Sequence, residues 1–170
     1  MDSLQSYHDQ RYSDRRVLIT GGGSGIGQAI VLRILDEGGR VVAADISESG
    51  LKDTVAKAEP HGDRLNVLVM DVGDEQSVRD GVAEAVEVLG GLDTLVNVAG
   101  ILRSAHFVDT TLADFEQVLR INLIGTFLVT REAIGALRNG NAPAVVNFSS
   151  TSAGFAHPYM SAYAASKAGV

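Results

Sequence analysis

Cysteine and tryptophan are absent from this 170-residue sequence, and only 5% of its residues are aromatic. Without cysteine the sequence has no disulfide, no thiolate nucleophile and no cysteine-based metal site. A core with few aromatic side chains has to be built from Val, Ile, Leu and Ala, which is typical of a parallel sheet covered by helices on both faces. The lack of cysteine is also compatible with the cytoplasm, where we expect this protein to be located.

Positive charge and long apolar runs are also scarce. The formal net charge is −7, so we expect no nucleic-acid partner, because neutralising a phosphate backbone requires a basic face. No apolar run approaches the roughly 20 residues that a membrane-spanning helix needs, and no membrane partner is expected. None of the 4 histidines has a second ligand at metal-binding spacing, so no metal site is predicted.

Apolar segments of strand length alternate with segments of helical periodicity along the chain. Strands are predicted at residues 16–20, 40–44, 64–70, 93–98 and 144–148, and helices at 25–37, 47–60, 74–89 and 111–137, with a further helix starting near Tyr159. This alternation predicts βαβ units and an α/β fold, a Rossmann-type doubly wound parallel sheet in three layers, α/β/α. We expect one domain over residues 16–170, preceded by a polar, flexible extension over residues 1–15.

The first predicted strand runs into a glycine-rich segment, TGGGSGIG at residues 20–27, which we call the glycine loop. Glycines permit positive φ angles and let a ligand approach the bare backbone. The helix that follows offers unpaired N–H groups and the positive end of its dipole to a phosphate. A glycine-rich turn can also be no more than a tight connection between two elements.

The glycine spacing excludes two well-known nucleotide-binding loops. Gly21, Gly25 and Gly27 do not follow the G-x-G-x-x-G pattern, and Gln28-Ala29 replaces the Lys-Ser/Thr pair of a mononucleotide-binding loop. A site that holds a nucleoside triphosphate and magnesium is therefore not expected.

An aspartate follows the second predicted strand. Asp45 stands 18 residues after Gly27, where a carboxylate can accept hydrogen bonds from both ribose hydroxyls of an adenosine and would repel a phosphate in their place. No Lys or Arg lies in the glycine loop or directly after Asp45 to attract that phosphate. We therefore predict NAD as the cofactor in preference to NADP. The alternative is a solvated aspartate at the end of a strand.

Several short motifs occur in the order in which the short-chain dehydrogenase/reductase family has them. They are the glycine loop, Asp45, Asp71-Val72, NVAG at 97–100, INLIG around Asn122, Ser149-Ser150, and YAASK at 163–167. Each motif is weak alone, but together they cover nearly the whole chain, which thus resembles the short single-domain oxidoreductases of this family. Val98 departs from the family pattern, which often has asparagine there, so a hydrogen bond supporting the fourth strand is expected to be missing.

The resemblance implies a set of site residues. The implied catalytic residues are Asn122, Ser150, Tyr163 and Lys167. The implied cofactor-binding residues are Gly21, Ser24, Gly25, Ile26, Gly27, Asp45, Ile46, Asp71, Val72, Asn97, Ala99, Gly100, Tyr163 and Lys167. In this reading Tyr163 is the general acid/base and Lys167 also binds the nicotinamide ribose. Ser150 polarises the substrate oxygen, and Asn122 anchors a water that relays protons.

The spacing of these residues agrees with their implied roles. Tyr163 and Lys167 are four residues apart and share one face of a helix. A tyrosine hydroxyl is a weak acid at neutral pH, and a nearby ammonium group favours its ionised form. Ser150 is preferred to Ser149 because it lies 13 residues before Tyr163, the usual separation in the family. Asn122 can alternatively be a polar residue tolerated within a long apolar helix.

The resemblance implies an NAD(P)-dependent oxidoreductase that interconverts a secondary alcohol and a ketone. Its partners would be a small-molecule substrate and further copies of itself, in a homodimer or homotetramer. Two alternatives stay open: a non-catalytic dinucleotide-binding or regulatory module, and a sugar-nucleotide epimerase, which shares Y-x-x-x-K but normally has other glycine spacing and a longer chain. Because family members continue with further strands and a substrate-covering loop, we expect the natural chain to extend beyond Val170.

Overall fold

The computed structural model describes residues 10–155 and 157–170. Its sheet consists of parallel strands β1 (Arg16–Thr20), β2 (Arg40–Asp45), β3 (Leu65–Val69), β4 (Thr94–Asn97) and β5 (Ala144–Asn147). The strand order is β3-β2-β1-β4-β5, so the chain reverses its direction of progress across the sheet after β3. Such a reversal opens a crevice beyond the carboxyl ends of the two strands that flank it, β1 and β4. The doubly wound parallel sheet predicted from the sequence is confirmed.

Helices connect the strands on both faces of the sheet. They are α1 (Gly25–Asp36), α2 (Glu48–Lys57), α3 (Glu75–Leu89), α4 (Leu112–Leu119), α5 (Gly125–Leu137) and α6 (Ser161–Ala168), with short 3₁₀ segments at Glu59–Arg64, Phe107–Asp109 and Thr151–Ala153. The side chains of Ser47 and Asp74 cap α2 and α3 by accepting from backbone N–H groups. Among the described residues, no helix has the length and apolar character needed to cross a membrane.

Alternate residues of β1 point to opposite faces of the sheet. Leu18 belongs to a buried cluster with side chains of α3 and α5, whereas Val17 and Ile19 belong to a second cluster with side chains of α1 and α2. Both clusters consist mainly of aliphatic side chains, as the shortage of aromatic residues predicts. The predicted three layers, α/β/α, are therefore present.

The single helix predicted over residues 111–137 is wrong at its centre. One π-helical turn, Arg120–Ile124, separates α4 from α5. Asn122 lies in this turn, and its side chain bonds to both the N–H and the C=O of Ile101. A π-turn accommodates one extra residue and is frequent at functional sites. The polar contacts of Asn122 hold this turn against the loop after β4.

The last helix begins later than predicted. Tyr159 has a positive φ of 67°, which is incompatible with a right-handed helix, and α6 starts at Ser161. Residues 158 and 159 form a turn shortly before α6.

The flexible extension predicted over residues 1–15 lies partly outside the described residues. The described part forms turns at residues 10–14. Tyr12 packs against the cluster that contains α1, and its N–H donates to the C=O of Glu37. Arg11 forms an ion pair with the buried Glu37 carboxylate and lowers its pKa. These contacts hold residues 10–14 against the domain, and the flexibility of residues 1–15 stays a prediction.

β5 is the edge strand that the predicted strand order implies. Within the described chain it pairs with β4 alone. Val145 and Val146 are 40% and 43% exposed, on opposite faces of the strand.

Arg16 and Asp93 form an ion pair next to the amino ends of β1 and β4. The buried Asp93 carboxylate accepts hydrogen bonds from the backbone N–H and the guanidinium of Arg16, and from the N–H of Asn141. The bonds from Arg16 hold the pKa of Asp93 well below its usual range. The pair therefore joins β1, β4 and the segment that leads into β5.

Asp93→Asn is expected to lower the free energy of unfolding at pH 7 by about 2 kcal/mol, because Arg16 loses its charged partner. Because folding lowers the pKa of Asp93, its ionised carboxylate stabilises the folded state. This stabilisation is complete at pH values above the unfolded-state pKa of about 3.9 and is lost as the pH falls through the folded-state pKa. Urea unfolding should therefore show that the difference in the free energy of unfolding between wild type and variant becomes smaller below about pH 4. Asp63→Asn, at an exposed position, is the control. Its free energy of unfolding is expected to stay within about 0.5 kcal/mol of the wild-type value. Equal stability of Asp93→Asn and wild type at pH 7 would contradict this account.

Candidate functional site

A cleft of about 420 Å³ occupies the crevice at the carboxyl ends of the central strands. Its lining residues are Gly21, Ser24, Gly25, Ile26, Gly27, Asp45, Ile46, Met70, Asp71, Val72, Val98, Ala99, Gly100, Ile101 and Ile121. The volume lies in the range of small-molecule and cofactor sites. Ile26 and Ile46 are 61% and 66% exposed on its walls, so a bound ligand would cover apolar surface there.

The glycine loop combines close backbone approach with open space. Gly21 has a φ of +71°, and a Cβ at this residue would lie 2.9 Å from the backbone nitrogen of Ala99. A Cβ at Gly27 would lie 2.0 Å from the carbonyl oxygen of Gly21. Gly25 also has a positive φ, +51°, but a Cβ there would meet nothing within 4 Å. The loop is thus tightly packed around Gly21 and Gly27 and open at Gly25.

The first turn of α1 presents unpaired N–H groups. Ser24 occupies the N-cap position without a side-chain capping bond. Within the described chain, the backbone N–H groups of Gly25, Ile26 and Gly27 have no hydrogen-bond acceptor. Such groups, together with the helix dipole, form a ready anion site. Their position beside the open space at Gly25 fits the diphosphate of a dinucleotide.

Asp45 ends β2 next to the glycine loop. Its carboxylate accepts hydrogen bonds from the N–H groups of Gly23 and Ser47, each at 2.9 Å. These bonds hold the carboxylate on the cleft wall, and an ionised carboxylate has further lone pairs for the hydroxyl groups of a ligand. Asp71 also lines the cleft, where its side chain accepts from the N–H of Gly73 at 2.8 Å.

Tyr163 and Lys167 lie one turn apart on α6. The Lys167 Nζ lies 5.9 Å from the centroid of the Tyr163 ring and donates to the C=O of Phe148 at 2.6 Å. Lys167 is only 7% exposed, and burial lowers the pKa of its ammonium group. The half-buried Tyr163 makes no hydroxyl hydrogen bond to any described residue. Its phenol oxygen is therefore available to a ligand.

Asn122 joins α6 to one end of the cleft. Its side chain bonds to the backbone of Ile101 at 2.8 and 2.9 Å and donates to the Ser166 hydroxyl at 3.0 Å. Ser166 in turn donates to the C=O of Tyr163 at 2.7 Å. A Cβ at Gly100 would lie 3.1 Å from Asn122 Oδ1 and 3.8 Å from Lys167 Nζ. The lysine therefore lies beside the wall of the cleft.

Comparison with known proteins identifies the family. A family model described as short chain dehydrogenase matches residues 15–170. The chain belongs to the short-chain dehydrogenase family. It is 37% identical over 160 residues to a 3-oxoacyl-(acyl-carrier-protein) reductase of Thermotoga maritima, covering 94% of this chain and 65% of that protein. It is 37% identical over 164 residues to the levodione reductase of Leifsonia aquatica, covering 94% of this chain and 61% of that protein.

Solved structures of short-chain dehydrogenases have the same fold. The crystal structure of levodione reductase matches with a TM-score of 0.88 at 35% identity, over 94% of this chain and 63% of that chain. A dehydrogenase/reductase from Sinorhizobium meliloti 1021 matches with a TM-score of 0.89 at 33% identity, over 99% of this chain and 66% of that one. Our short-chain dehydrogenase thus spans less than two thirds of the length of these proteins. Membership implies a nicotinamide dinucleotide, NAD or NADP, as cofactor.

Most predicted cofactor-binding residues of this short-chain dehydrogenase line the cleft, but the side chain of Asn97 does not. Its amide donates to Thr130 Oγ1 at 3.0 Å and to Asn147 Oδ1 at 2.9 Å. Its Oδ1 is buried and has no hydrogen-bond partner among the described residues. Asn97 therefore links β4 to α5 and β5 through its side chain, and its binding of the cofactor stays a prediction. Tyr163 and Lys167 lie outside the cleft lining, on α6.

The two adjacent serines have different partners. The Ser149 hydroxyl donates to the C=O of Lys167 at 2.7 Å, which fastens the end of α6. Ser150 caps the 3₁₀ turn Thr151–Ala153 by accepting from the N–H of Ser152 at 3.2 Å, and its own hydroxyl donates to Ser152 Oγ over a longer 3.3 Å. In the described chain, Ser150 makes no hydrogen bond to Tyr163. The hydrogen of the Ser149 hydroxyl is therefore committed to a structural bond.

Asn122, which is predicted to anchor a water, has no side-chain N–H left to donate to it. Both N–H bonds of the Asn122 amide are used inside the protein, by Ile101 and Ser166. A water held by this side chain would have to donate to Asn122 Oδ1, which already accepts from Ile101.

Some cleft residues are not identified by the sequence analysis. They are Met70, Val98, Ile101 and Ile121. Ile101 and Ile121 directly adjoin the predicted residues Gly100 and Asn122. Adjacency in the sequence to a predicted site residue is therefore the signal that would have identified them.

Proposed function

We propose that this chain is the dinucleotide-binding and proton-transferring part of an NAD-dependent oxidoreductase that interconverts a secondary alcohol and a ketone. The observation that carries the proposal is the placement of three features at one edge of the sheet. Unpaired N–H groups at α1, the carboxylate of Asp45 and a buried lysine next to Tyr163 all lie at the carboxyl edge of the sheet. In this proposal residues 16–170 form the dinucleotide-binding domain and residues 1–15 an extension.

The residues of the cleft favour NAD over NADP. The N–H groups of Gly25, Ile26 and Gly27 would hold the diphosphate. Asp45 would accept hydrogen bonds from the hydroxyl groups of the adenine ribose and would repel a phosphate there. No lysine or arginine is among the described residues that line the cleft, so that phosphate would find no cationic partner.

The bound nicotinamide supplies the hydride or accepts it, and the residues of this chain orient the substrate and move its proton. Tyr163 would exchange a proton with the substrate oxygen through its unbonded hydroxyl. The Nζ of Lys167 lies 5.9 Å from the centroid of the Tyr163 ring, one helical turn away on the same face of α6. Ser150 would bind the same substrate oxygen, because its hydroxyl donates only over a long contact of 3.3 Å to Ser152 Oγ, whereas the Ser149 hydroxyl donates to the C=O of Lys167 at 2.7 Å.

The described cleft lining does not include Ser150, Tyr163 or Lys167, which favours a second candidate, a dinucleotide-binding module without turnover. The two candidates differ in one assay, the reduction of NAD with a panel of small secondary alcohols. NADH formation with at least one alcohol supports the oxidoreductase. Saturable NADH binding without turnover, by the protein as it occurs in the cell, would support the module.

Asp45→Ala is expected to reduce the preference for NADH over NADPH about tenfold, because the carboxylate loses its bonds to ribose hydroxyls and its repulsion of a phosphate. Dissociation constants for both cofactors, from nicotinamide fluorescence, give this ratio directly. Asp63→Ala, at an exposed position outside the cleft, should leave the ratio unchanged. An Asp45→Ala variant with the wild-type ratio would refute the role of this carboxylate.

The homodimer or homotetramer and the cytoplasmic location stay predictions. Phe127 and Ile134 support the first, because they are exposed large apolar residues on α5 and exposed apolar clusters mark interfaces.

A further inference from the structure

α2 packs directly against the backbone of the glycine loop. A Cβ at Gly50 would lie 2.7 Å from the carbonyl oxygen of Gly23, so only glycine permits this approach. One turn further along α2, Thr54 is 0% exposed. Its hydroxyl donates to the C=O of Gly22 at 2.9 Å and lies 3.1 Å from the C=O of Gly50 in its own helix.

Gln28, in the first turns of α1, orients the Thr54 hydroxyl. Its side-chain N–H donates to Thr54 Oγ1 at 2.8 Å and to Asp53 at 3.0 Å. Lys57 donates to the carbonyl oxygen of the same side chain at 2.8 Å. A hydroxyl has one hydrogen and two lone pairs. Because Gln28 occupies a lone pair of Thr54, the single hydrogen is directed to a backbone carbonyl, and the Gly22 oxygen is the nearer acceptor.

The Gly22 peptide is therefore held from two sides. Its N–H donates to the C=O of Ala44 in β2 at 3.1 Å, and its C=O accepts from Thr54 in α2. The next residue, Gly23, donates to Asp45 at 2.9 Å. These bonds fix the path of the chain into Ser24 and into the first turn of α1, whose N–H groups are unpaired.

We propose that Thr54 is a positioning residue for dinucleotide binding: its buried hydroxyl, oriented by Gln28, fixes the Gly22 carbonyl and so holds the N–H groups of the glycine loop toward a diphosphate. Thr54 does not line the cleft and acts through the loop backbone. This inference rests on the proposed function, because it takes a dinucleotide as the ligand.

Removal of the hydroxyl leaves the Gly22 carbonyl without its buried donor, which favours other conformations of the loop. The apparent dissociation constant rises by the inverse of the fraction of molecules whose loop is binding-competent. A fraction of about one tenth gives about a tenfold rise in the NADH dissociation constant.

The test compares Thr54→Val, which has the same shape without the hydroxyl, with Thr54→Ser, which keeps the hydroxyl. NADH is titrated into each full chain by nicotinamide fluorescence, and the melting temperature is recorded in parallel. Thr110→Val is the matched control, because the Thr110 hydroxyl also donates to a backbone carbonyl, that of His106, away from the cleft. We expect a dissociation constant raised about tenfold for Thr54→Val and changed by less than about twofold for the other two variants.

A Thr54→Val protein that melts at a lower temperature but binds NADH as wild type does would overturn the proposal, because Thr54 would then serve stability alone. If Thr54→Ser weakened NADH binding as much as Thr54→Val does, the proposal would also be overturned, because the hydroxyl would not be the relevant group. If Thr54→Val does not fold, Gln28→Met is the deciding variant. We expect it to raise the NADH dissociation constant about threefold, and an unchanged dissociation constant would contradict the proposal. Wild-type protein without saturable NADH binding would instead refute the proposed function itself.

Discussion

Tyr163→Phe is expected to lower kcat about a thousandfold, because the variant keeps the ring but loses the group that exchanges a proton with the substrate. NADH affinity should change by less than about twofold, since the Tyr163 hydroxyl bonds to no described residue and its removal disturbs no internal contact. The initial rate of NAD reduction and a parallel NADH titration give both quantities.

Tyr159→Phe is the matched control for this change. The Tyr159 ring packs edge-on against His106 with centroids 4.8 Å apart, and the substitution keeps that ring. We expect turnover close to wild type. If Tyr163→Phe retained full turnover, or if it lost NADH binding together with turnover, the assignment of Tyr163 as general acid/base would be wrong.

Gly27→Ala is expected to raise the NADH dissociation constant at least about tenfold and to lower the free energy of unfolding by about 2 kcal/mol. The added Cβ would lie 2.0 Å from the carbonyl oxygen of Gly21, so either the loop or α1 has to move. Both movements displace the N–H groups that are proposed to hold the diphosphate. Fluorescence titration with NADH and urea unfolding measure the two effects.

Gly135→Ala makes the same chemical change where a Cβ meets nothing within 4 Å, at an exposed position of α5. It should leave NADH affinity unchanged and raise stability by up to about 1 kcal/mol, because alanine favours a helix more than glycine does. A Gly27→Ala protein that binds NADH like the Gly135→Ala protein would show that the glycine loop does not shape the cofactor site.

The fold was predictable because each of its signals is local in the sequence. Apolar runs such as RVVAA at residues 40–44 form strands, and helical periodicity between them requires parallel pairing. Parallel pairing alone then brings Asp45 to the same sheet edge as the glycine loop, since both follow strands that lie side by side. The sequence alone therefore predicts that these groups meet at one cleft.

Other parts of the site depend on contacts between distant residues and have no local signal. Asn97 lies within a predicted strand, but only the packing of α5 and β5 shows that its amide bonds to Thr130 and Asn147. The π-turn at Asn122 interrupts an apolar stripe that reads as one continuous helix. Thr54 is an unremarkable polar residue of α2 until its distance to the Gly22 carbonyl is known.

Titration of the wild-type chain with NADH and NADPH is the measurement that tests the central claim most directly. The chain has no tryptophan, so the emission of the reduced nicotinamide can be followed without a tryptophan background. We predict saturable binding of NADH with one site per chain, and weaker binding of NADPH. Absence of saturable NADH binding, or tighter binding of NADPH than of NADH, would contradict the assignment of this cleft as an NAD site.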